Sequence, residues 1–361
     1  MQSIGLDLGS KESQTCISLN GKVTEEGRMA TRDLRGWLTR QPPSRVIMES
    51  CAESRVVAGW AGEAGHETFV IPAMLARRIG VGARGLKNDQ RDARALAYYG
   101  CAIDEPANSH LKSDEAYELH NLLGTRRLFV RQRADLVRRV KSAMRERVMP
   151  RVPRFHESPE FLAKLRDMFA EHPDGLSLGL ELELEQIATL TEQIARLEQE
   201  LTRIAGQREE IRLLMTMPGV GIVVALTFAS LIDDPTRFAS SKALANYLGL
   251  TPGEATTGFK ERKTSVTKAG SPIMRSLLIQ SAWCVWRTQK DAPLGRWVHR
   301  KAEQRNKKVA IVALARRLAT ILWAMWRTGR PFDAAMTKPT SEPDSTPLSA
   351  ASESLPAETR A

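Results

Sequence analysis

The chain has 361 residues, 42% hydrophobic and 26% charged, which allows two or three domains and a sizeable core. Fifty-three Lys and Arg face forty-two Asp and Glu, a formal charge of +11 that points to a polyanionic partner, most often nucleic acid. No apolar run reads as a membrane span and no basic-then-apolar leader opens the chain. Cys16, Cys51, Cys101 and Cys284 form no C-x-x-C pair, which argues against a zinc ribbon or disulfide framework and predicts a cytoplasmic setting.

Residues 1–104 read as α/β. "SIGLDLG" alternates as a strand should, "QTCISLN" follows it with "GK" as a turn, and "RVIMES" and "ETFVIP" are further short strands. "RVVAGWAGEAG" is a helix ending at glycine. "NDQRDARALAYYG" is another, with Asn88 at the N-cap and Gly100 as its stop. Strands alternating with helices predict an open mixed or parallel sheet. Residues 113–149 change character, with apolar residues at helical spacing. From Arg126 to Arg154 there are eleven Lys or Arg and only two acids, Asp135 and Glu146. That predicts a long amphipathic helix whose basic face lies against phosphate.

Residues 177–214 form a second long helix. Its seam of Ile187, Leu190, Ile194, Leu197, Leu201 and Ile204 steps by three and four like a coiled coil, packing on the first long helix or on a second subunit. From 215 the chain is mostly helical. "MPGVGIVVALTFASLID" sets a tight turn before an apolar helix, like a helix-hairpin-helix element whose backbone N–H groups face a phosphate. "SSKALANYLGLTP", a loop "GEATTGFKERKTSVTKAG", a helix from about Pro272 and two more basic helical stretches follow. The last residues are rich in Pro, Ser, Thr and Glu and read as disordered. The divisions are 1–105, 106–214, 215–333 and a tail at 334–361.

Four acids stand out. Asp7 lies in the first strand, Glu49 ends the third, and Asp89 and Asp92 open a helix three residues apart. Strand ends of an open sheet gather at one edge, where ligands bind. Carboxylates collected there need cations, and magnesium, a hard ion, suits them. Two such ions would serve phosphoryl transfer. Singly, each acid reads as a cap or a salt-bridge partner, for instance of Lys87, Arg91 or Arg94; as a set they read as a metal site. The histidines His66, His110, His120, His156, His172 and His299 show no metal-ligand spacing. "DLGS" also resembles the first phosphate loop of sugar kinases and actin-like ATPases, but no second Asp-Gly-Gly motif accompanies it.

"IGLDLGSKES", "VIMES" and "LKNDQRDARALA", followed by "MPGVG", "LGLTP" and "KAGSPIMRSLL", closely resemble the DEDD transposases of the insertion-sequence one-ten family, from about residue 2 to residue 333. The resemblance implies an α/β ribonuclease-H-like (RuvC-like) domain, a long helical coiled-coil region used in dimerisation, and a mostly α-helical C-terminal transposase domain. It implies that Asp7, Glu49, Asp89 and Asp92 hold two Mg2+ ions. It also implies a homodimer, possibly paired on a synapse, acting on donor and target DNA with a bridge RNA. The family's nucleophilic serine falls at Thr257, before Gly258. Three alternatives stand: Thr257 attacks, Ser265 takes over, or neither does and water or no cleavage replaces them. The competing functions are an RNA-guided DNA recombinase, a RuvC-like junction nuclease using water, and a non-catalytic nucleic-acid-binding derivative of a transposase.

Overall fold

The computed structural model describes residues 1–79, 89–150, 152, 155–257 and 260–333, with backbone alone at 89, 254–257 and 260–265. The expectations for Asn88, Lys87 and the tail therefore lie outside the described residues. The chain divides into Met1–Tyr117 and Glu118–Ala361.

The first unit runs β1 (Gln2–Asp7), β2 (Glu12–Leu19), β3 (Lys22–Ala30), α1 (Leu34–Thr39), β4 (Arg45–Glu49), α2 (Ser54–Glu63), β5 (Glu67–Ile71), α3 (Ala73–Arg78) and α4 (Asp89–Ala102). Among the described residues the strands form one sheet in the order β3-β2-β1-β4-β5. The first three are antiparallel, and β4 and β5 continue parallel to β1. This mixed sheet agrees with the ribonuclease-H-like expectation. The strand missing from the sequence reading is β3. It is an edge strand with four charged residues and none buried, so it carries no apolar alternation.

The pleat sends alternate residues to opposite faces. Ile4, Leu6, Ile17, Val46 and Met48 pack with Leu34, Trp37 and Leu38 of α1 and Val57 and Ala61 of α2. On the other face Ile47 and Ile71 pack with Leu96 of α4, and Cys16 with Ala93 and Ala97. The helix sits very close to the sheet. A Cβ on Gly5 would lie 2.1 Å from the Ala93 carbonyl oxygen, and one on Gly100 would lie 2.2 Å from Ser3 Oγ. Gly100 therefore serves close packing, and α4 runs past it to Ala102; it is not the helix stop expected from sequence. The buried His66 is structural: its Nδ1 accepts from the Ser44 N–H at 3.1 Å, so Nε2 donates to the Leu38 carbonyl at 3.0 Å.

The second unit holds α5 (Asp114–Glu146, which begins in the first unit), α6 (Pro159–Ala170), α7 (Leu178–Gln207), α8 (Glu209–Met215), α9 (Ile222–Ile232), α10 (Ser241–Tyr247), β6 (Pro252–Thr257), β7 (Lys260–Val266), α11 (Pro272–Thr288), α12 (Pro293–Gln304) and α13 (Lys307–Thr328). Helices α5 and α7 lie antiparallel. Arg126 pairs with Glu198, Arg133 Nη1 donates to Thr191 Oγ1 at 3.2 Å, and Arg139 Nε donates to Glu183 at 2.6 Å, so one helix's numbers rise as the other's fall. Val140 and Met144 of α5, Leu162, Leu165 and Phe169 of α6, and Leu184 and Ile187 of α7 share one core.

The predicted helix over 177–214 breaks at Arg208, whose ψ of 114° is extended. A larger core joins Leu119 and Leu123 of α5 and Leu201 of α7 to helices α8 through α13. Among the described residues, α13 alone is long and apolar enough to span a membrane, an exception to the reading that no run is. Its apolar face, including Leu314, Leu318 and Leu322, is fully buried in that core, so it is a core helix.

Candidate functional site: one end of the mixed sheet and a β-ribbon

Asp7 closes β1 and Glu49 closes β4. Each comes one position after the parallel pair Leu6 and Met48, so they end neighbouring strands about 4.8 Å apart. Alternation puts them on the face of Gly5 and Ile47, which α4 covers. That helix runs antiparallel to β1: Gly100 lies against Ser3, and Ala97 and Ala93 against Gly5. Its first turn, with Asp89 and the 4% exposed Asp92, thus reaches the sheet end that carries Asp7. The following turn is fixed by Thr31, whose Oγ1 donates to the Gly9 carbonyl at 2.5 Å and bonds Ser13 Oγ at 2.8 Å.

Among the described residues no three His, Cys, Asp or Glu side chains form a metal-holding group. Asp7, Glu49 and Asp92 are therefore brought to one sheet end without forming such a group by themselves, and the Asp89 side chain is outside the described residues. The donor set suits a hard divalent ion in kind, since it offers only carboxylate oxygens.

Two groups hold α4 in place; sequence reasoning named Arg94 only as a possible partner of Asp89 or Asp92, and it missed Glu26 and Arg45. Near its start, Arg94 grips Glu26 of β3 through two guanidinium nitrogens, and Gln90 Nε2 donates to the same carboxylate at 2.9 Å. The Arg94 hydrogen bonds hold the Glu26 carboxyl below the usual range. At the other end the buried Arg45 donates to the carbonyls of Gly100 at 3.1 Å, Ile103 at 2.7 Å and Asp104 at 3.1 Å, and to Glu67 at 3.0 Å. A guanidinium at a helix C-terminus also meets the negative end of the helix dipole. Glu26 and Arg94 are 68 residues apart, so no local spacing announces the pair.

In the second unit the segment read as a loop is an antiparallel ribbon. β6 and β7 pair Glu254 with Lys263, Ala255 with Arg262, Thr256 with Glu261 and Thr257 with Lys260. Thr257 thus ends β6 at the ribbon's distal end, while Ser265 sits beside Val266 near its base; both side chains lie outside the described residues. The base is pinned where "LGLTP" meets "KAG". The Lys268 N–H donates to the Gly249 carbonyl at 3.2 Å, Thr267 N–H to Thr251 at 2.9 Å, and Arg275 Nη1 to the Gly270 carbonyl at 2.5 Å. A Cβ on Gly270 would lie 2.0 Å from the Tyr247 carbonyl oxygen, so that corner admits only glycine.

Comparison with known proteins identifies these two regions. A DEDD transposase model of the IS110 type matches residues 4–149, and the transposase IS116/IS110/IS902 family model matches residues 211–294. The chain belongs to this transposase family. It is 26% identical to the transposase for insertion sequence element IS1328 of Yersinia enterocolitica, over 91% of this chain and 98% of that protein. It is 27% identical to a probable family 20 transposase of Pseudomonas aeruginosa, over 90% of this chain and 96% of that one. It is also 26% identical to the pilin gene-inverting protein of Moraxella lacunata, over 80% of this chain and 81% of that protein.

Helix α5 carries both paired and exposed cations. Arg126 and Arg139 are committed to Glu198 and Glu183. Arg127, Arg131 and Arg145 are exposed and have no ion-pair partner among the described residues. Lys141, Arg138 and Arg145 also line a groove of about 670 Å³ with Met144, Met149, Pro150 and Val152.

Proposed function

We propose that this family transposase cuts and rejoins DNA with Asp7, Glu49, Asp89 and Asp92 as a divalent-metal site and Thr257 as nucleophile. The observation that supports the site is the common sheet end reached by Asp7, Glu49 and the first turn of α4. Two Mg2+ ions held there would polarise the scissile phosphate and neutralise its developing charge. The chain's own part is to hold the acids, through the Glu26–Arg94 grip and the Gly5 contact, and to present the hydroxyl on the ribbon. The Thr257 oxygen forms a bond to phosphorus, the deoxyribose oxygen leaves and takes up the proton, and the phosphothreonine ester keeps the bond energy for rejoining. Ser265, near the ribbon's base, is the alternative nucleophile. Water is a third, and it would make the protein a junction nuclease. The relatives named for inverting a pilin gene favour rejoining over simple hydrolysis.

The turn at 218–221 is proposed as a helix-hairpin-helix-like phosphate contact. Gly221, at the N-cap of α9, is exposed, so its end of the helix is open to an anion. Gly219 has a φ of +82°, and a Cβ there would lie 2.8 Å from the Ser281 carbonyl oxygen, so this turn also has a packing role. A bridge RNA, donor and target DNA, a homodimer or dimer of dimers, and a cytoplasmic setting complete the reading. The α7 seam gives limited support to a coiled-coil dimer: Ile187, Leu190, Ile194 and Leu201 are already buried within the chain, so a second subunit would need other residues.

The decisive experiment traps protein on DNA. Asp7→Ala should abolish cleavage while leaving nucleic-acid binding intact, and a covalent adduct should map to Thr257. An adduct at Ser265 moves the nucleophile to the base of the ribbon, and cleavage without any adduct supports the nuclease. Full cleavage by Asp7→Ala sinks the metal site.

A further inference from the structure

The junction of α11, α12 and α13 carries an aromatic group that the proposed chemistry leaves unused. Trp286 stacks on His299 with ring centroids 3.8 Å apart, and Trp283 meets Trp286 edge-on at 6.3 Å. These rings are half-buried, with one side on the core. The exposed Lys307 ammonium stands 5.0 Å from the centroids of both Trp283 and Trp286.

The surrounding charge is one-sided. Residues 283–308 contain eight Lys and Arg against two acids, Asp291 and Glu303. None of the eight forms an ion pair among the described residues. Lys307 and Lys308 also occupy the first turn of α13, where the helix dipole disfavours cations. For Lys307 the contacts with both indoles offset that cost.

A half-buried aromatic cluster edged by cations that have no ion-pair partner among the described residues has the composition of a surface that holds single-stranded nucleic acid, because bases stack on rings while cations take the phosphates. We infer that Trp286, with Trp283, His299 and Lys307, is a stacking site for an unpaired nucleobase. The inference rests on the proposed action on nucleic acid, and it concerns a part of the chain separate from the acids and the ribbon.

The test measures anisotropy of labelled oligo-dT, labelled oligo-U and a duplex of equal length, binding to the full chain at fixed salt. Trp286→Leu keeps an apolar side chain but removes the π face; Trp286→Phe keeps a face. The expected result is a loss of single-strand affinity of about five- to 150-fold for Leu, largely restored by Phe, with duplex affinity unchanged. Loss on oligo-dT alone identifies a displaced DNA strand, loss on oligo-U alone an RNA, and loss on both a site blind to the sugar. Lys307→Gln, a surface change, guards against a folding defect in the Leu variant. It should weaken single-strand binding by about two- to fivefold, and duplex binding by less. Wild-type single-strand affinity in Trp286→Leu and Lys307→Gln, with duplex binding intact, would mean the rings only pack α11 against α12. A wild-type chain that binds neither single strands nor duplex would overturn the transposase mechanism as well.

Discussion

At Gly5 a single added carbon would meet backbone atoms on two sides, the Ala93 oxygen at 2.1 Å and the Ala97 nitrogen at 2.5 Å. Backbone cannot rotate away as a side-chain tip can, so Gly5→Ala should lift α4 from the sheet. A loss of about 3 kcal/mol or more in urea unfolding is expected. Gly59, within α2, meets nothing within 4 Å. Gly59→Ala should therefore raise stability, by about 0.5–1 kcal/mol in the same assay. Equal effects at the two sites would mean that the close seat of α4 is wrong. Cys16 lies under the same helix and is fully buried. Burial, followed by the nearby Glu26 charge, pushes its thiol up to about 11. An unfolded thiol ionises near 9, so between pH 9 and 11 the unfolded chain has released a proton that the native one keeps. Stability should fall with pH there, and Cys16→Ala should flatten that fall in urea titrations. Neither residue's role is legible in sequence: "IGLDLG" shows an alternating strand but not the helix that lies on it.

The scale of one element brings out how α4 is held. Arg45 supplies several donors to its C-terminal carbonyls, and Glu26 grips it near its start through Arg94 and Gln90. A lysine ammonium cannot reproduce Arg45's fork. Arg45→Lys should therefore leave the buried Gly100 carbonyl or its part-buried neighbours unpaired, with a loss of about 1–3 kcal/mol and faster amide exchange in the last turn of α4. Unchanged exchange would deny Arg45 that capping role. Existence and approximate limits of α4 were readable, because "RDARALAYY" is helical by propensity. Its anchoring was not, since every anchor comes from a distant strand. The same distinction applies to the ribbon. Thr256, Thr257 and Val266 are β-formers, but glycines and charges between them read as a loop until pairing with the opposite strand is known. The α5 basic face was readable as a periodic pattern, whereas the partner of each arginine depended on the antiparallel lie of α7.

For the whole molecule, the +11 charge makes nucleic-acid binding a salt-dependent equilibrium. Only cations free of an acid partner release counterions fully on binding. Replacing exposed Arg127, Arg131 or Arg145 with Gln should each reduce the slope of log affinity against log salt by about one. Replacing Arg126, already paired with Glu198, should change it less. Identical slopes for all four would place the bound phosphates elsewhere.

The sequence by itself determined the class of partner, the alternating α/β start, the two long helices and the transposase motifs, because charge, period and short motifs are local properties of the chain. Tertiary structure decided the rest. It set the edge strand β3, the ribbon carrying Thr257, the burial of the α7 seam within one chain, and the sheet end shared by Asp7, Glu49 and the start of α4. Each of these depends on a partner dozens of residues away, and a contact at that separation is fixed by packing and hydrogen-bond satisfaction in three dimensions, which no window along the chain contains.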